Sequence, residues 1–162
     1  MLAGVLDANV IIGFAKGGVF ELLQELYQPL FVPSSVVAEV ICAGQGLPGA
    51  AELEAGLLTW IDEAKPQSSS RQRFLTLPDA SDVDVLTIAT EKRVDHVLSS
   101  DAGVYRLASL HGLTCLQATD ILILLKQVGI IPAVSPILDR MRVAGFGIDQ
   151  PLYIQAILAA GE

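Results

Sequence analysis

A chain of 162 residues with 52% hydrophobic content and a mean hydropathy of +0.54 has ample material for the core of one domain. Its formal charge of -8 and pI near 4.6 argue against nonspecific adhesion to nucleic acid, which draws its affinity from clustered Lys and Arg. No apolar run approaches the roughly 20 residues of a membrane helix, and the first residues carry neither a basic n-region nor a cleavage site, so a soluble, cytoplasmic protein with no membrane contact is expected.

In chain order, short apolar runs alternate with amphipathic segments, the pattern of a parallel sheet covered by helices. Residues 2–7 read as a first strand that ends abruptly on Asp7 and is followed by Asn9 in a helical turn. Val19–Tyr27 has helical spacing, and Pro29–Pro33 is a brief buried strand. Ser34 or Ser35 offers an N-cap to a helix that carries Glu39. Gly44–Gly49 is a turn-rich link, Ala50–Ala55 a short helix and Leu57–Ile61 a further strand or covering segment. Residues 66–73 have the composition of an exposed loop and place Arg71 and Arg73 together, as a phosphate-contacting loop or any solvated loop would.

From Pro78 the pattern sharpens. Ser81-Asp82-Val83-Asp84 has the S-x-x-D form of a capping box and opens a helix to about Lys92. His96-Val97-Leu98-Ser99-Ser100-Asp101 repeats the opening design, a strand that finishes on an acid. Ala102–His111 reads as a helix and Leu113–Gln117 as a strand. Three helical pieces follow, at Asp120–Val128, Val134–Val143 and Gln150–Ala160. One domain over 1–162 is expected, with a core to about 118 and a helical extension over about 119–162. Cys42 and Cys115 lie in apolar runs far apart and read as buried thiols, and with His96 and His111 also distant no zinc-ligand spacing is present.

The chemistry rests on Asp7, Glu39, Asp84 and Asp101, each placed near a strand's C-terminal end or a helix's first turns. In open α/β sheets that edge is where ligands bind. Carboxylates are hard ligands suited to Mg²⁺ or Mn²⁺, and gathered without a cation they repel by roughly 4 kcal/mol per pair at 4 Å and an effective dielectric of 20. A divalent ion relieves that repulsion, positions a water and lowers its pKa, and no plausible Ser-His-Asp or Cys-His set competes. The bland account makes Asp7, Asp84 and Asp101 helix caps and Glu39 a surface residue. Against it, Asp7 and Asp101 end apolar strands and Glu39 lies among Val36, Val37, Val40 and Ile41, where acids need partners.

Val5-Leu6-Asp7-Ala8-Asn9-Val10-Ile11, Val32–Val40, Ser81–Ala89 and Leu98-Ser99-Ser100-Asp101 together resemble the four acidic motifs of PIN-domain nucleases. The tail, Thr119–Lys126 followed by Gly129-Ile130-Ile131, is similar to the prokaryotic VapC-like toxin branch. The resemblance spans essentially the whole chain. It implies a three-layer α/β/α fold with a mostly parallel sheet and a helical C-terminal extension, and a metal-dependent endoribonuclease that cuts RNA with Mg²⁺ or Mn²⁺. Carried over, Asp7, Glu39, Asp84 and Asp101 form the catalytic and metal-binding set, with Asn9 orienting it and Ser100 and Asp82 in support. Ala8 departs from a frequent Thr, and Ser81-Asp82-Val83-Asp84 from Gly-Glu-x-Glu; Asp84 is preferred to Asp82 as the ligand because Ile88 shares its face and Asp82 serves as a first-turn dipole partner. Arg106, with Arg71 and Arg73, is a candidate nucleic-acid contact. A small antitoxin protein docking on the acidic rim and a homodimer also follow from the likeness. Asp7-Ala8-Asn9 also suggests an aspartyl-nucleophile phosphatase, although Asn9 stands where that chemistry needs a second acid, and a non-catalytic module retaining its acids as caps is the third reading.

Overall fold

The apolar runs pair as one parallel sheet in the computed structural model, which describes residues 1–162. Its strands are β1 (Leu2–Leu6), β2 (Tyr27–Pro33), β3 (Ile61–Ala64), β4 (His96–Leu98) and β5 (Thr114–Leu116), in the order β3-β2-β1-β4-β5. β1 is central, with Val5 and Leu6 fully buried, because a strand covered on both faces has no use for an alternating polar face. Gly4 lets β2 close on it: a Cβ there would stand 2.9 Å from the Tyr27 ring and 3.0 Å from Leu30.

The strand order reverses between β1 and β4. Chain leaving β1 heads toward β2 and β3 while chain leaving β4 heads toward β5, which opens a crevice beyond their C-terminal ends. The register pairs Leu6 with Leu98 and Leu98 with Leu116. Hydrogen bonding continues one residue further, from Asp7 N–H to Leu98 O and from Ser99 N–H to Leu116 O, each 3.0 Å. Asp7 and Ser99 are therefore fixed side by side by the ladder itself.

Nine α-helical segments enclose the sheet: α1 (Ala8–Lys16), α2 (Ser34–Val37), α3 (Ala50–Leu57), α4 (Ser68–Arg71), α5 (Ala80–Lys92), α6 (Ala102–Leu110), α7 (Ala118–Gln127), α8 (Ser135–Val143) and α9 (Gln150–Ala159). α5 crosses β2, β1 and β4, and α1 packs with α7 and α8. Ile121, Leu122 and Leu125 of α7 and Leu138 and Met141 of α8 belong to the same buried cluster as β1 and β4. Gly13 of α1 receives the Phe146 ring from that region, so closely that a Cβ would lie 2.7 Å from Cζ.

Several expectations shift. Val19–Tyr27 is a 3-10 helix over Phe20–Glu25, and Tyr27 already belongs to β2. The strand expected at Leu57–Ile61 begins at Ile61, after a turn at 58–60. Residues 66–73 hold the short helix α4 rather than open loop. The helix after β2 starts at Ser34, with Pro33 as an N-cap that makes no side-chain bond, and passes into a π turn over Ala38–Ala43. That change of phase leaves Cys42 exposed, contrary to expectation, while Cys115 is buried.

Candidate acidic site

Asp7 is 3% exposed and fully hydrogen-bonded where β1 gives way to α1. Its Oδ1 accepts the Ala8 N–H at 2.7 Å; its Oδ2 accepts the Ser99 hydroxyl at 2.6 Å and the Asn9 amide at 3.2 Å. Asn9 also accepts the Ser100 N–H at 2.9 Å, so it ties the end of β1 to the end of β4. Burial pushes the Asp7 carboxyl above its ordinary range; the Ser99 and Ala8 hydrogen bonds oppose this, and the charges of Glu39 and Asp101 add to it.

Asp101 is reached from the other side of the crevice. Its N–H donates to Ser99 Oγ at 3.2 Å and its Oδ1 accepts the Val104 N–H at 2.9 Å, which caps α6. Ser99 Oγ thus gives its proton to Asp7 and receives one from the Asp101 backbone. Asp7 and Asp101 are both helix caps, and capping leaves each part of the acidic group.

The third wall comes from α5, whose N-cap is Asp79: its Oδ1 accepts the Ser81 N–H at 2.9 Å. Ser81 lies inside the helix instead of capping it, so the expected Ser81–Asp84 capping box is replaced by a cap two residues earlier. Its hydroxyl sits 2.8 Å from Asp79 Oδ1 and 3.2 Å from Glu39 Oε2, and donates to one at a time. Asp82 falls in the first turn and feels Asp7, Asp101, Asp79 and Glu39. Its carboxyl is pushed up to about 7, first by burial and then by those four charges in that order.

Asp84 stands apart from the group in which it was expected. Two residues beyond Asp82 it points to the opposite side of the helix. There the Ser35 hydroxyl donates to its Oδ2 at 2.7 Å, and Arg71 Nε lies 2.8 Å from its Oδ1. The Arg71 contact is charge pairing at close range and not an aligned hydrogen bond, since neither atom finds a hydrogen-bond partner. Arg71 is thereby occupied in anchoring α4, whereas Arg73 is exposed and Arg106 lines the cleft that also contains Asp82 and Asp101. Ser100 accepts the Ala118 N–H at 3.3 Å, holding the start of α7 at the rim. Ser99 and Asp79 were not singled out from sequence, and Ser81 was read only as a helix cap; the Ser-Ser-Asp ending of β4 and the Pro78-Asp79 helix start were the signals available for Ser99 and Asp79.

The donors gathered here are hard carboxylate oxygens with two serine hydroxyls between them, the set Mg²⁺ and Mn²⁺ prefer. No three Asp, Glu, His or Cys side chains share one coordination shell as they stand. A small divalent ion held by one or two carboxylates and several waters does not require that they do. Ser99 joins Asp7 to the Asp101 backbone and Ser81 lies between Glu39 and Asp79, so hard oxygen donors stand close together at this edge, and in this sense the residues fit a divalent cation.

Fold and crevice together define an α/β domain with an acid-lined site at the switch point of a parallel sheet. A profile of the family DUF3368, described as a PIN domain, matches residues 3–162, and the chain belongs to this PIN-domain family, whose function is of the nuclease type. No curated protein matches the chain.

Proposed function

We propose that the protein is a metal-dependent endoribonuclease that hydrolyses RNA phosphodiester bonds, with Asp7, Glu39, Asp82 and Asp101 as its working acids and Asp82 taking the place first given to Asp84. The observation that carries this reading is the approach of four acids, from the end of β1, the segment after β2, α5 and the end of β4, at one sheet edge, with Asp82 pushed up to about 7 first by burial and then by the charges around it. Bound Mg²⁺ or Mn²⁺ supplies Lewis-acid polarisation of the phosphodiester and lowers the pKa of an attacking water. Asp7 is held in one orientation by Ser99, Asn9 and Ala8, so it needs no reorganisation to face a cation. Asp82, near its midpoint at neutral pH, gives up its proton as positive charge arrives. Ser81 keeps Glu39 beside the start of α5.

Purified protein incubated with RNA and Mn²⁺ is expected to cut it, and Asp7→Asn to abolish the cutting; RNA left intact by the unaltered protein refutes the proposal. The VapC-like branch, the toxin role, a small basic antitoxin segment docked across the acidic rim, a homodimer, a cytoplasmic location and a single domain over 1–162 with its tail from about 119 belong to the same proposal. Growth arrest on expression, relieved by the product of a small adjacent reading frame, tests the toxin role; size-exclusion with light scattering tests the dimer. A second reading, a non-catalytic module, is favoured by the capping roles of Asp7 and Asp101. Calorimetry decides between them, since a module that keeps its acids only as caps takes up no divalent ion at millimolar concentration.

A further inference from the structure

We infer that the concavity beside Tyr105 seats an unpaired nucleobase next to the phosphodiester under attack, an inference that rests on the endoribonuclease reading. Two concavities meet at Asp101. One, of ≈ 280 Å³, is lined by Ser100, Asp101, Tyr105, Gln117 and Asp120 among others. The second, of ≈ 470 Å³, is lined by Thr76, Leu77, Asp82, Asp101 and Arg106 among others. Asp101 belongs to both, so a strand whose phosphate lies at the acids must enter each side.

The two sides differ in charge. The Tyr105 side carries Asp101 and Asp120 and no cation, which repels phosphate and suits a group rich in N–H donors. The Arg106 side carries Asp82 and Asp101 as well, but it adds a guanidinium and the Thr76 hydroxyl, the groups of the two concavities best suited to the anionic backbone. Tyr105 is 58% exposed, an unusual position for a large aromatic ring, and sits one helical turn beyond Asp101. An open aromatic face next to a phosphate-handling site is a stacking platform for a base, and a base can lie on it only when unpaired. Asp120 Oδ2 is engaged by the Gln117 N–H at 3.1 Å, which leaves Oδ1 to accept from a ligand. An ionised carboxylate only accepts, and of the base edges it prefers one bearing an exocyclic amino group. Adenine, cytosine and guanine are thus favoured over uracil on the Tyr105 side, with the sugar-phosphate chain running toward Arg106.

The test measures binding of labelled hexamers of A, C and U to the whole protein in Ca²⁺ by anisotropy, and maps cut positions in Mn²⁺ on a mixed-sequence unpaired RNA. A and C hexamers are expected to bind at least about fivefold more tightly than U. Tyr105→Ala should weaken A and C by about tenfold, whereas Tyr105→Phe, which keeps the ring, should bind as the unaltered protein does. Asp120→Asn, which keeps an acceptor for the Gln117 N–H, should erase the discrimination against U. Circular-dichroism melts confirm that each variant is folded. Equal binding of all three hexamers, no binding at all, or a folded Tyr105→Ala variant that binds unchanged overturns the base seat. Cleavage at positions indifferent to base and to Tyr105→Ala overturns it too and leaves the nuclease reading standing. The expected binding pattern without any cleavage supports the seat and removes the nuclease reading instead.

Discussion

Replacing Asp82 and Asp84 of α5 in turn separates the roles that the structure gives them. Asp84 is 10% exposed and balanced by Arg71 and Ser35; Asp82 is surrounded by like charge. Breaking one side of a fully buried pair costs about 3–5 kcal/mol. The Arg71 side chain remains 36% exposed, so water takes over part of its solvation, and Asp84→Asn is expected to lose about 1–2 kcal/mol. For a protein of this size that lowers the melting temperature by roughly 2–8 °C. The same substitution should leave RNA cleavage within a fewfold of normal. Asp82→Asn removes a repelled charge, so the metal-free melting temperature at pH 8 should hold or rise, while cleavage in Mn²⁺ falls about 100-fold or more, equivalent to about 2.7 kcal/mol on the barrier. Paired thermal melts and initial cleavage rates read both effects. If Asp84→Asn melts normally but is inactive, while Asp82→Asn cuts normally, the assignment of the two acids is refuted.

Three further outcomes follow from the same contacts. Asp82 carries a folded-state pKa of about 7 against an ordinary 3.8, and Asp7 is raised as well, so between about pH 4 and 7 the folded chain binds more protons than the unfolded one; metal-free stability should fall as pH rises through that window and level off above it, and Mn²⁺ should flatten the profile. Melts that improve with pH across that range contradict the burial of these acids. Ser99→Ala deprives the buried Asp7 of its shortest hydrogen bond and the Asp101 N–H of its acceptor, and urea denaturation at pH 8 should register a loss of about 1–3 kcal/mol, a neutral result being incompatible with the geometry. Gly13→Ala drives a methyl into the Phe146 ring and should cost about 1–3 kcal/mol in the same assay; an unchanged midpoint would mean that the ring is not packed on α1.

The parts of the site that were legible in the sequence are those where an acid interrupts an apolar run. Asp7 and Asp101 stand out because a strand buried on both faces tolerates a carboxylate only at its end. The capping box expected at the start of α5 fails for a local reason. Ser81-Asp82-Val83-Asp84 satisfies a capping pattern, but Asp79 captures the helix start, and the face that Asp84 shares with Ile88 is one where Ser35 and Arg71 meet it. β3 starts later than the strand expected at Leu57–Ile61 because Ile61-Asp62-Glu63-Ala64 is an edge strand with two exposed acids, recruited by pairing with β2 and not by its own hydrophobicity. Arg71 resembled a solvated loop residue since nothing local to residues 66–73 announces a partner thirteen positions away on another helix. For β3 and for Arg71 the deciding contact is tertiary.

The hydrogen bond from Ser99 to Asp7 joins residues 92 positions apart, and the crevice they form is bounded on its far side by α7. During synthesis the segment that ends β1 leaves the ribosome long before β4 exists. A nascent chain stopped between residues 83 and 95 holds Asp7, Glu39 and Asp82 without the strand that sets Asp7's orientation or the acid that closes the cleft. The destructive chemistry proposed for this protein is therefore withheld until most of the molecule has been made, and premature termination yields inert fragments. Fragments ending near residue 90 should leave RNA intact under the conditions in which the full chain is tested for cleavage.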